Sequence, residues 1–122
     1  SDLPRSREML AAILEADPSH PSANSHYPDT VLMLGESPDE LAIRAARFNL
    51  TYNRNPQNFG TYVQAAEIFT AAGQPRNACA VVGRVTQWIR RTSPTGDGAS
   101  LRDRLDRVLQ QLGECDQQAE SG

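Results

Sequence analysis

An all-α fold of antiparallel helix-turn-helix repeats is what this chain predicts, on three observations. Prolines recur at a fixed interval, with Pro18, Pro56 and Pro94 each 38 residues apart. A glycine follows each of them 17 to 19 residues later, at Gly35, Gly73 and Gly113. Between these marks apolar residues fall at three- and four-residue spacing, and no window alternates with period two. Proline suits the first turn of a helix and glycine the residue just past its end. The punctuation therefore reads as helix, tight turn, helix, short loop, repeated.

The elements follow in order. Met9, Leu10, Ile13 and Leu14 make a short apolar stripe ahead of Pro18. The stretch PSHPSANSHYP then reads as loop, and Pro28 restricts the next helix to Pro28–Leu34. Ser37-Pro38-Asp39-Glu40 has the form of a capping box with proline at the first helical position. Leu41, Ala45, Phe48 and Tyr52 form the stripe behind it. Tyr62, Ala65, Ala66, Phe69 and Ala72 form another, turned at Gly73 into Ala78, Val81, Val82, Val85 and Ile89. Ser100 to Asp103 offers a weaker cap for Leu101, Leu105, Val108 and Leu112. One domain over 1–117 and a disordered tail over 118–122 are expected.

Composition sets the class. Of the 122 residues 39% are hydrophobic and 22% charged, with a net charge of −3, which suits a soluble globular domain. The longest apolar run, Ala78 to Val82, is far too short to cross a bilayer, so no membrane insertion of this segment is expected. Lysine is absent and every strong base is arginine, a usage associated with GC-rich bacterial genomes. Arg102, Arg104 and Arg107 cluster, but Asp103 and Asp106 interleave with them. A mildly acidic chain with few aromatics has neither the basic face nor the stacking platform that nucleic acid needs. SDLPRSREML has no signal-peptide character, and the chain reads as a piece of a longer protein.

The stretch from Asn55 to Gly83 carries a family resemblance. Small Ala65, Ala66 and Ala78 let two antiparallel helices approach closely, while Tyr62 and Phe69 fill the space above and below. With a unit starting at Phe59, the order Tyr62, Ala65-Ala66, Phe69, Gly73, Ala78 resembles the tetratricopeptide repeat. The resemblance implies one well-matched repeat over 59–92, an irregular one over 21–54, and half units at both ends, stacked as a short right-handed superhelix. It also implies a groove lined by the first helices that takes an extended peptide or a partner helix. On matching positions that groove presents Val63, Glu67, Thr70 and Ala71, with Arg102, Asp106 and Leu109 from the following half unit and Asp29 and Met33 from the irregular one. Acidic Asp29, Glu67 and Asp106 beside apolar Met33, Val63 and Leu109 suit an apolar segment with basic flanks.

No catalytic constellation, cofactor motif or metal-ligand spacing is present. His20 and His26 sit in the polar stretch with too few ligand partners for zinc. Thr95-Gly-Asp-Gly98 reads as linker, and the sequon Asn49-Leu-Thr51 falls inside a helix. Cys79 lies near the start of one helix and Cys115 near the end of the next. At ~1.5 Å per residue the two climb ~20 and ~22 Å from the linker between their helices. A disulfide is compatible with that geometry, and two free thiols are the alternative. A bridge would place the chain in an oxidising, periplasmic or extracytoplasmic compartment rather than the cytoplasm. The functional expectation is a non-enzymatic protein-interaction scaffold or adaptor from a bacterial secretion, pilus or envelope assembly. The alternative is a secretion chaperone holding a hydrophobic client segment.

Overall fold

The structure, a computed structural model, describes residues 2–52, 59–91, 97–113 and 115, with only the backbone for 88–91 and 97–99. The tail over 118–122, Pro56, Pro94 and the Ile89 side chain lie outside the described residues. Among the described residues there are six α-helices and no strand: α1 Leu3–Ala16, α2 Pro21–Leu34, α3 Glu40–Tyr52, α4 Phe59–Ala71, α5 Pro75–Arg91 and α6 Asp97–Leu112. The helices α2, α4 and α6 start at Pro21, Phe59 and Asp97, which keeps the 38-residue interval of the prolines.

Local chemistry sets the helix ends. Asp2 caps α1 by accepting from the Arg5 N–H at 3.1 Å, and His20 caps α2 by accepting from the Ala23 N–H at Nδ1, also 3.1 Å. Gly35, Gly73 and Gly113 all adopt positive φ, at 71°, 73° and 72°. At Gly73 this conformation lets the next N–H, that of Gln74, reach back to the Phe69 carbonyl at 2.8 Å. That bond closes α4 and sends the chain straight into Pro75, the first residue of α5. The cap of α3 differs from the expected box. Asp39, not Ser37, accepts from the Ala42 N–H at 2.9 Å, so the helix begins at Glu40.

The reading of 18–28 as loop is also corrected, because α2 runs through Pro28. Proline has no N–H for the Asn24 carbonyl, and its ring crowds that carbonyl outward. The protein meets the deficit from neighbouring helices. Asn49 on α3 donates from Nδ2 to the Asn24 carbonyl at 2.8 Å and to Gln64 Oε1 at 3.0 Å. Gln64 on α4 donates from Nε2 to the Ser25 carbonyl at 2.9 Å. Asn49 and Gln64 are both buried, and no buried side-chain polar atom among the described residues lacks a partner. A helix that breaks a propensity rule is thus completed by two amides aimed at its exposed carbonyls.

Packing centres on α4, which touches α2, α3, α5 and α6. Surrounded in this way, it buries Phe59, Tyr62, Val63, Ala65, Ala66, Ile68 and Phe69, together with Gln64. A helix that is apolar around most of its circumference belongs in that central position. Against it α5 lays Ala78, Val81, Val82 and Val85, and α6 lays Leu105, Val108 and Leu112, all buried. The expected faces of α1 and α3 are turned relative to the sequence reading. On α1, Leu14 is buried, but Met9 and Ile13 are 59% and 36% exposed. On α3 the buried face is Ala42, Ala45, Ala46 and Asn49, while Tyr52 is 71% exposed and stacks on Phe48.

Candidate functional site

The surface shared by α2, α4 and α6 brings together Asp29, Leu32, Met33, Glu67 and Arg104 around an open groove of about 340 Å³. Two residues of α4, Gly60 and Glu67, meet α6: a Cβ on Gly60 would lie 3.7 Å from the Leu101 side chain, and Glu67 holds Arg104. On α4 these positions share a stripe with Val63 and Gln64. Gln64 leans to α2, where it bonds Ser25, and Val63 is fully buried. Glu67 reaches the groove.

The groove is organised by charge. Arg104 donates from Nε to Glu67 Oε2 at 3.2 Å and from Nη2 to Oε1, a two-pronged grip across the α4–α6 contact. Nη2 also lies 3.9 Å from Asp29 Oδ1 on α2. Hydrogen bonding to Glu67 raises the Arg104 pKa further and fixes its charge, against the opposing pull of desolvation. Two carboxylates therefore share one guanidinium, leaving the cluster one negative charge in excess. The Asp29 side chain is 46% exposed against 20% for Glu67, so the unspent charge faces solvent at Asp29. Met33 beside it is 63% exposed.

Measured against the groove residues expected from sequence, the structure gathers Asp29, Met33 and Glu67 and leaves the rest elsewhere. Val63 is a correction: it is fully buried and presents nothing to a partner. Glu67, expected exposed, is engaged by Arg104. Thr70 is half-buried and spends its hydroxyl on the Ala66 carbonyl at 2.7 Å, while Ala71 is exposed. Arg102 and Asp106 are exposed and Leu109 half-buried. Arg102 and Asp106, each two residues from Arg104, lie about 160° around α6 from it, so they cannot share its groove. Leu32 and Arg104 fall outside the residues expected from sequence, because an apolar stripe alone does not tell which flank of α6 meets α2. Leu101, Leu105, Val108 and Leu112 do leave Arg104 on the edge of their stripe, which is the signal for it.

Other sequence candidates resolve into structure. His20 is a helix cap, and His26 lies exposed within α2 rather than in a loop. No group of three or more histidine, cysteine, aspartate or glutamate side chains among the described residues could hold a metal ion. The Asn49 sequon is occupied by the Pro28 repair, since that amide is buried and doubly bonded. No described helix is long and apolar enough to cross a membrane. Cys79 and Cys115 are joined by a disulfide, with their Cα atoms 5.3 Å apart.

A second, wider depression of about 820 Å³ lies between α1, α3 and the α4–α5 turn at Gln74. Its wall includes Tyr27, whose hydroxyl donates to Asp39 Oδ2 at 2.8 Å. Burial pushes the Tyr27 phenol above its ordinary pKa, with the Asp39 bond adding to the shift and Arg7 opposing it. Arg7 in turn pairs with Glu36 and lies 3.5 Å from Asp39. These contacts tie α1 to the α2–α3 turn, and Glu15, Glu40, Arg44 and Arg47 along the rim mix both signs of charge. In comparisons with family models, curated proteins and solved structures, nothing matches this chain.

Proposed function

We propose that this chain is a non-enzymatic protein-interaction scaffold, built as tetratricopeptide-like helix pairs, that holds a partner segment along its α2, α4 and α6 surface. The observation that carries the reading is the convergence of Asp29, Met33 and Glu67, with Leu32 and Arg104, on one groove supplied by three successive first helices. Its chemistry supports an apolar peptide or helix with basic flanks. Met33 and Leu32 offer apolar contact, and the cluster keeps one uncompensated carboxylate charge at Asp29. The disulfide supports work in an oxidising compartment, as a periplasmic or extracytoplasmic adaptor in a secretion, pilus or envelope assembly.

The test uses random peptides displayed on phage and panned on the oxidised protein. Sequences with an apolar centre and arginine or lysine at the edges should be enriched. Their binding should weaken in Met33→Asp and in Asp29→Ala, and fall with added salt. Selected peptides that bind both variants as tightly as the parent would place the interaction surface elsewhere.

A further inference from the structure

The disulfide joins the first half of α5 to a point just past Gly113, the left-handed glycine that ends α6, across 36 residues of chain. α6 is therefore tethered at both ends, by the polypeptide at its start and by Cys115 beyond its finish. Between the tethers it rests on α4. Leu105, Val108 and Leu112 are its buried residues, Leu101 meets Gly60, and Arg104 meets Glu67 and Asp29. Among the described residues its contact with α5 is slight. Three of the helices before it are held differently: α2 is packed by α1, α3 and α4, α3 by α2 and α4, and the Asn49–Gln64 amides lock α2, α3 and α4 to one another. An end element with one main neighbour is the unit that opens first when a restraint is lost.

We propose that the Cys79–Cys115 disulfide is a redox latch on the groove. Closed, it keeps α6 docked and Arg104 between Asp29 and Glu67. Opened, it lets α6 leave α4 while α1 to α5 stay folded. The groove then loses its guanidinium, leaving Asp29 and Glu67 as two unpaired carboxylates, and the part of α4 that α6 covers is opened. This regulation rests on the reading of the groove as the binding surface.

The reductant is a dithiol. One of its thiolates attacks a disulfide sulfur and expels the other cysteine as a thiolate. Its second thiol then attacks the mixed disulfide, leaving the dithiol oxidised and Cys79 and Cys115 as two thiols. Two electrons and two protons pass from dithiol to protein. Cys79 and Cys115 are both half-buried rather than enclosed, so an attacking thiolate has a route to the bridge.

Hydrogen–deuterium exchange with mass spectrometry on the full chain, before and after dithiothreitol, tests the latch without any partner. Cys79→Ser/Cys115→Ser serves as the reagent-free counterpart, and the reduced parent chain gives the answer if that variant fails to fold. Reduction should lower protection of α6 amides more than about tenfold and change those of α2 and α3 less than about twofold. Unchanged protection in α6 overturns the latch. So does a matching loss across all helices, which would make the disulfide a staple of the whole fold. If no displayed peptide binds in either redox state while α6 is selectively released, the binding reading fails and the latch stands.

Discussion

Pro28 on α2 and Asn49 on α3 act as a matched pair: the proline leaves the Asn24 carbonyl without a helical donor, and the asparagine supplies one at 2.8 Å. Asn49→Ala should therefore destabilise the protein by about 2–3 kcal/mol, since a buried carbonyl and the Gln64 side chain both lose a partner. The same substitution should cost less in a Pro28→Ala background, where the restored N–H of residue 28 can serve Asn24 instead. Urea denaturation of the four proteins measures the coupling. Equal costs in both backgrounds would mean that Asn49 does not answer the proline.

The Arg104–Glu67 grip predicts a stability effect where sequence alone suggested only a binding effect. Both side chains are partly sheltered and the contact is two-pronged, so Arg104→Ala should cost about 1–2 kcal/mol. Glu67→Arg should cost more, because it sets two guanidiniums against each other. Combining it with Arg104→Glu should recover part of the loss. Denaturation midpoints that leave Glu67→Arg as stable as the parent would show that the ion pair contributes nothing in solution.

The parts of the fold legible in the sequence were those fixed by local backbone chemistry. Gly35, Gly73 and Gly113 adopt the positive φ that glycine takes without strain, so their spacing marks where α2, α4 and α6 end. Tyr62, Ala65, Ala66 and Phe69 were legible because α4 is packed on nearly every side, which makes its face assignment insensitive to small rotations. Where a helix is not packed all round, its rotation decides which face is buried, and the apolar stripe alone does not fix it. α3 lies against α2 and α4, buries its alanines and leaves Tyr52 out, a choice set by Asn49 having to reach both helices. The run through Pro28 was illegible for a related reason. Its remedy comes from residues 21 and 36 positions further along the chain, Asn49 and Gln64, and no local rule contains them. Of the five residues that line the groove, the sequence names Asp29, Met33 and Glu67 but not Leu32 or Arg104, and the place of Arg104 depends on which flank of α6 faces α2.

The α4–α5 contact predicts a steric limit. Ala66 is fully buried in the central helix, beside an equally buried Ala65, and Ala78 on α5 is likewise without exposure. Ala66→Leu adds volume that a close-packed core cannot take up without shifting helices, at a cost of about 1–3 kcal/mol. A thermal melt that superimposes on the parent curve would show that the two helices have slack between them.

Tyr27 predicts a loss of stability on the alkaline side. Burial raises its folded-state pKa above the unfolded value of about 10, so between the two values the folded chain holds a proton that the unfolded chain has released. Stability then falls as pH rises through that window, and the contribution is fully present below it. Neutral and acidic conditions leave this term unchanged. The hydroxyl also donates to Asp39, which caps α3 through the Ala42 N–H, so ionisation of Tyr27 would set a phenolate against a carboxylate at a helix start. Tyr27→Phe gives up that hydrogen bond, at about 1 kcal/mol, but has no proton to lose. The parent should accordingly be the more stable protein by a constant margin at neutral pH, and the margin should shrink once pH passes about 10. Melting both proteins across that range reads the difference directly and cancels the titration of the arginines and other tyrosines they share. A margin that stays constant into strong alkali would mean that the Tyr27 phenol is as free to ionise folded as unfolded.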